Sequence, residues 1–131
     1  MVFSIGSCYR EKIFIPNQMK KTKHNSEHYF WGEKCEGWRF LDTTDLNVTR
    51  ETIPSGKGEK MHLHHKARQF FYIISGIATF DIEGEIHIIN ADEGIEIIPG
   101  KKHCISNNNE VPLEFIVISQ PTTHGDRQDV T

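Results

Sequence analysis

The chain has 131 residues, 37% of them apolar and 25% charged, with a formal net charge of −3. That is material for one core and therefore one domain. The slightly acidic balance excludes a general attraction to nucleic acid or anionic lipid, and no run approaches the roughly 18–20 apolar residues of a membrane helix. Neither nucleic acid nor membrane is expected as a partner. The opening MVFSIGSCYREK has no charged leader and no adequate apolar stretch, so the cytoplasm is the expected compartment. Cys8, Cys35 and Cys104 are odd in number and widely spaced, which suits reduced thiols better than a disulfide framework.

Residues 1–37 are polar, with Pro16, the run KKTKHNSEH and the aromatic cluster Tyr29, Phe30, Trp31. They read as an irregular N-terminal arm that wraps the domain or a partner subunit. From Trp38 the texture changes to short runs of strand-forming residues separated by turn signals: WRFLD, LNVTRETI before PSGKG, QFFYIIS before Gly76, IATFDI before EGE, IHII before NADEG, IEII before PGKK, and LEFIVIS before Gln120 and Pro121. Short strands at regular spacing, with no sustained 3.6-residue period, indicate an all-β sandwich or barrel. Residues 38–120 are expected to form it, and residues 121–131 a polar C-terminal tail that packs at an edge or frays.

The run MHLHHKARQFFYIISG carries the chemistry. In a strand, alternate side chains share a face, so His62 and His64 project together while His65 projects away. Gln69 opens the next strand and can return to the same interior, with Phe71 and Ile73 on its face. His103, after PGKK, can add a third imidazole from a neighbouring strand. Cys104 faces away from that site and reads as a small buried filler. Lys60 shares the face of His62 and could meet an acidic substrate at the rim. His24, His28, His87 and His124 have no ligand-like spacing and read as surface or interface residues. Arg50 and Glu51 are adjacent and face opposite ways. Arg50 inward would suit a carboxylate substrate and Glu51 inward would offer a base, and periodicity does not choose between them.

The spacing of these residues resembles the cupins, whose first motif is G(x)5HxH(x)3,4E(x)6G and whose second is G(x)5PxG(x)2H(x)3N. Gly56, His62, His64 and Gly76 occupy the first in register, with Gln69 in the glutamate position. Gly100, His103 and Asn107 match the second; Asp92 stands where its first glycine belongs, with Gly94 as a possible substitute for that turn, and Ile98 takes the proline place one step before Pro99. The resemblance implies a single-domain jelly-roll β-barrel. It also implies one divalent transition metal (Zn, Ni, Fe, Mn or Co) held by His62, His64 and His103; Gln69, the departure from the motif, either joins them as a fourth ligand through its amide oxygen or hydrogen-bonds the barrel backbone while the three histidines hold the metal alone. Assembly as a homodimer is expected, since the family commonly pairs through an outer sheet.

Three imidazoles and an amide would leave a divalent ion its full double charge, whereas a carboxylate would cancel one unit. That favours polarising a carbonyl or holding a carboxylate or enolate. The expected function is an enzyme on a small polar metabolite, of the isomerase, lyase or hydratase type, acting on a sugar-derived or keto acid. A three-histidine iron dioxygenase and a non-enzymatic small-molecule binding module are the alternatives.

Overall fold

The computed structural model describes residues 19–130; the first 18 residues of the expected arm, with Cys8 and Pro16, lie outside them. Eleven strands follow in chain order among the described residues: β1 (Glu27–Trp31), β2 (Cys35–Asp42), β3 (Asn47–Ile53), β4 (His62–His64), β5 (Arg68–Ser75), β6 (Ile77–Ile82), β7 (Glu85–Asn90), β8 (Gly94–Ile97), β9 (His103–Ser106), β10 (Leu113–Gln120) and β11 (Arg127–Asp129). They form a six-stranded sheet, β1-β2-β3-β10-β5-β8, and a five-stranded sheet, β11-β4-β9-β6-β7. The result is an all-β two-sheet sandwich in a jelly-roll-like arrangement.

Period-2 burial explains the layers. Phe71 and Ile73 of β5, Phe115 and Val117 of β10, Ile53 of β3 and Ile97 of β8 point inward from the larger sheet, and Ala78, Phe80 and Ile105 meet them from the smaller. The Phe71 ring packs edge-on to Phe80 and tilted against Phe115, with centroids 5.0 and 5.6 Å apart. This aromatic cluster closes one end of the sandwich interior and leaves the other for polar groups.

One region departs from the sequence reading, and a second takes a definite form. Within the expected irregular arm, residues 27–31 pair antiparallel with β2, placing Tyr29 opposite Gly37. The reason is long-range: a strand paired only at its edge has a mixed polar pattern that alternation does not reveal. In the tail, β11 pairs with β4, so Arg127 lies opposite His64 and Asp129 opposite His62.

The turn before β8 also has a definite answer. Asp92, at the expected glycine position, adopts a left-handed φ of 67°, which aspartate tolerates better than most residues. Its amide donates to the Ile73 carbonyl at 2.8 Å, and its carboxylate accepts from the Tyr72 hydroxyl at 3.2 Å. Gly94 does not replace it. That glycine gives room to Phe70, whose ring a Cβ would approach to 2.4 Å.

Asn107 ties the loops together. It is fully buried, its Nδ2 donates to the carbonyls of Ile53 and Val111 at 3.0 and 2.9 Å, and its Oδ1 accepts from the Asn109 amide at 3.0 Å. Asn107→Ala leaves buried main-chain groups unpaired, at about 1–3 kcal/mol each. Urea unfolding should therefore show a loss on the order of 3 kcal/mol with the slope of the transition unchanged.

Candidate metal centre and cavity

The two histidines of β4 and the first residue of β9 are neighbours in the smaller sheet, with His62 and His103 paired across the strands. All three imidazoles are buried, and one ring nitrogen of each lies within 4.8 Å of the others. Strand alternation puts Leu63 between His62 and His64 on the other face, as the sequence indicated. The turn that delivers His103 is fastened to β4: Gly100, at φ +86°, donates its amide to the His64 carbonyl at 2.7 Å.

Main-chain carbonyls orient two of the rings. His62 Nδ1 lies 2.9 Å from the Lys60 carbonyl and His103 Nδ1 lies 2.8 Å from the Lys101 carbonyl. A carbonyl only accepts, so each Nδ1 carries the proton and each Nε2 keeps its lone pair free. Burial pushes His62 down to about 3 and His64 down to about 4, and it lowers His103 as well. At neutral pH the cluster is three uncharged imidazoles.

Gln69 faces them from the opposite sheet. Its Nε2 donates to the Ser119 hydroxyl at 3.1 Å, and Ser119 is its cross-strand partner on β10. Among the described residues four buried polar atoms lack a hydrogen-bond partner: Arg50 Nε on the other face of β3, and, at this cluster, Gln69 Oε1, His64 Nδ1 and His103 Nε2. Unpaired buried acceptors are costly. Nitrogen and oxygen lone pairs gathered in this way fit a cation, and the three-histidine cluster is a site for a single divalent transition metal.

His62 and His64 border a cavity of about 200 Å³ between the sheets. From the larger sheet it receives Thr49, Glu51, Phe71 and Ser119; Tyr29 and Arg39 come from its outer strands, and Glu59 and Arg127 stand beside β4. Of the adjacent pair in β3, Glu51 faces the cavity, while Arg50 lies on the other face and pairs with Glu114 at 2.6 Å. Phe71 lines the cavity as expected. Ile73, two residues deeper along β5, is instead in the core beyond the Phe71 ring. Lys60 borders an adjoining groove, because the chain is still turning into β4 at that point.

His124, expected at the surface, is exposed at the cavity mouth and contacts Asp42 at 3.0 Å. His65 points away and contacts Gln128. Sequence reasoning missed Tyr29, Arg39, Glu59 and Arg127. Only the inward alternation of Cys35, Gly37 and Arg39 carried a local signal; the others arrive through contacts distant in sequence.

Glu59 packs against the cluster, with Oε2 3.8 Å from His62 Nδ1 and accepting from the Ile105 amide at 3.2 Å. Burial raises its carboxyl to about 8, although Arg127 opposes the shift. Burial likewise raises Glu51 to about 7, opposed by its hydrogen bond from Tyr29 and by Arg39.

Residues 49–119, more than half of the chain, match a family model described as Cupin domain. Among curated proteins, the mannose-1-phosphate guanylyltransferase of Salmonella typhimurium is 28% identical over 102 residues, covering 75% of this chain and 21% of that protein. Its counterpart from Salmonella montevideo is 29% identical over 112 residues, covering 82% and 22%. The chain thus spans about a fifth of the length of these relatives. Among solved structures, a nucleoside dehydratase from Streptomyces superposes with a TM-score of 0.72 at 18% identity, covering 86% of this chain and 91% of that one. A predicted oxalate decarboxylase from Thermotoga maritima gives 0.73 at 19% identity, covering 79% and 100%. These structural likenesses establish the fold.

A carboxyl raised by burial penalises the fold as pH climbs from its unfolded value, about 4.5, toward its folded one, because the unfolded chain releases the proton first. For Glu59 that window runs up to about pH 8. In metal-free protein, Glu59→Gln should leave the melting temperature nearly unchanged at pH 5 and raise it by several degrees at pH 8. Equal shifts at both pH values would rule out a protonated buried Glu59.

Proposed function

The chain belongs to the cupin family, and from the amide oxygen of Gln69, buried and unpaired beside three neutral imidazoles, we propose a divalent-metal-dependent enzyme that isomerises, dehydrates or cleaves a small sugar-derived or keto acid metabolite. His62, His64 and His103 would hold the ion, with Gln69 Oε1 as the fourth donor. When bound, the ion supplies Lewis-acid polarisation of a substrate carbonyl or hydroxyl oxygen. Because no ligand is a carboxylate, its double charge would stay uncancelled.

The remaining cavity groups suit a small anionic or hydroxylated molecule. Arg39 and Arg127 supply positive charge, and Asn47, Thr49 and Thr123 supply hydrogen-bonding groups. The Phe71 ring closes the floor and excludes water from the core beneath it. A sugar-derived substrate also accords with the relatives, named for mannose 1-phosphate, and with a fold neighbour that dehydrates a nucleoside. The cavity size favours a metabolite of a few carbons rather than a polymer.

The same reading includes a homodimer. On the outer face of the larger sheet, Phe70, Ile118, Val48 and Leu41 stand in register across four strands, and Phe70, Ile118 and Leu41 are 42%, 38% and 37% exposed. A continuous apolar row of this kind is a usual mark of a protein contact.

Metal analysis tests the first proposal. Protein purified without chelator should carry about one transition metal per chain. The double variant His62→Ala/His64→Ala should carry none, and Gln69→Ala should bind at least tenfold more weakly. Unchanged affinity in Gln69→Ala would reduce the cage to three histidines, and a metal-free wild type after repletion would end the enzyme reading. For assembly, analytical ultracentrifugation should give a dimer that Phe70→Lys/Ile118→Lys converts to monomer; a monomeric wild type would refute it.

A further inference from the structure

Across the cavity from the histidines, the larger sheet brings a phenol and a carboxyl together over an unusual distance. Tyr29 lies on β1 and Glu51 on β3, with β2 between them, yet Tyr29 Oη donates directly to Glu51 Oε2. Adjacent strands are about 4.8 Å apart, so the phenol must lie flat across an entire intervening strand.

What permits this is Gly37. The register sets Tyr29 opposite Gly37 and Gly37 opposite Glu51 in one row. A Cβ at Gly37 would stand 2.3 Å from Tyr29 Cζ and 2.5 Å from its hydroxyl oxygen, so any side chain there would expel the ring. The Arg39 guanidinium sits over the ring, 4.0 Å from its centroid. Tyr29 is thus seated on glycine backbone and covered by a cation, with its hydroxyl aimed at one carboxylate oxygen.

We infer that Glu51, positioned by Tyr29, is the proton-transfer group of this cavity, and that it enolises a small substrate carrying a C–H bond next to a carbonyl. This rests on the metal-dependent reading of the facing wall. In the forward step the Glu51 carboxylate takes the proton. The C–H electron pair becomes the carbon–carbon double bond, and the carbonyl π pair moves to oxygen. In the return step Glu51 gives a proton back to carbon and the carbonyl re-forms. No oxidant or second reactant is needed, and isomerisation and dehydration of hydroxycarbonyl compounds share this step.

The surroundings poise the carboxyl for both halves of that cycle. Burial holds it near neutrality, while the Tyr29 hydrogen bond and Arg39 keep it from rising further. Tyr29 itself is raised out of the physiological range, chiefly by burial and then by the charge of Glu51, so it remains a donor. The other titratable or charged groups that share the cavity with Glu51 are Asp42 on β2, Glu59 before β4, Arg127 on β11, His62, His64 and His124, and Cys35 on β2 lies near enough to feel its charge.

The test uses metal-loaded protein with pyruvate as the probe, following exchange of its methyl protons in deuterium oxide by proton NMR, with metal content measured on every sample. Wild type should exchange with a rate limb near pH 7. Glu51→Gln should lose at least 100-fold of the rate while keeping its metal. Tyr29→Phe should move the limb to higher pH, because the hydrogen bond it removes favours the carboxylate. Equal rates in wild type and Glu51→Gln, or a metal-loaded wild type with no exchange, overturn the inference and leave the metal site standing. A wild type that holds no metal overturns both. Carboxyl carbon NMR of metal-free protein gives an independent readout: Glu51 should titrate near neutrality, and a midpoint in the ordinary range near 4.5 overturns the poised base.

Discussion

Two main-chain carbonyls, those of Lys60 and Lys101, decide the character of the site. By accepting the Nδ1 protons of His62 and His103 they fix which nitrogen of each ring is bare, and burial then prevents that nitrogen from being protonated. The loops must be rigid for this to work, since a carbonyl displaced by an ångström would release the ring. Asn107, the Gly56 amide on the Asn107 carbonyl and the Gly100 amide on the His64 carbonyl supply that rigidity. Asp126 contributes from the tail, its carboxylate accepting from the amides of His65, Lys66 and Ala67 where β4 turns into β5. The motif glycines and asparagine are therefore parts of one device for holding lone pairs inward.

That device explains what could be read from the sequence. Strand alternation is local, so the shared face of His62 and His64, the reversed direction of His65 and the inward return of Gln69 followed from spacing alone. The Arg50–Glu51 alternative did not resolve that way. Either residue satisfies the alternation, and the choice depends on β10 and β2, whose register gives Arg50 the partner Glu114 and leaves Glu51 facing the cavity. Tyr29, Glu59 and Arg127 were illegible for a related reason: their positions come from β1 pairing with β2, from the entry to β4, and from β11 at its edge. Asp92 lies between the two cases. The need for a left-handed residue was visible, and aspartate meets it without the glycine.

The amide of Gln69 raises a separate question, because Ser119 does not by itself decide which way it points. A hydroxyl both donates and accepts, so Ser119 would serve the amide oxygen as readily as the nitrogen. The decision falls to the other side of the amide. Facing it are imidazole lone pairs, and a cation among them attracts Oε1 and repels Nε2. Ser119 then turns to accept. A serine at this cross-strand position leaves the glutamine free to answer the charge of the cluster, where an alanine would leave an amide hydrogen unpaired.

The same charge argument links the two walls of the cavity. A glutamate at position 69 would place a fixed negative charge among the ligands and make any further carboxylate in this small space harder to ionise. With glutamine there, the cage would keep the whole charge of its ion, and the anion it calls for can come from the opposite wall. Glu51 stands there, raised by burial in the absence of an ion and open to being lowered by one. A carboxylate held as a ligand has lone pairs committed to the metal and is a weak base. One standing free, seated by Tyr29 and opposite the cage, keeps its basicity while still feeling the field. On the proposed reading, replacing the ligand glutamate with Gln69 does not remove a negative charge from the site so much as move it to a group that can give and take a proton.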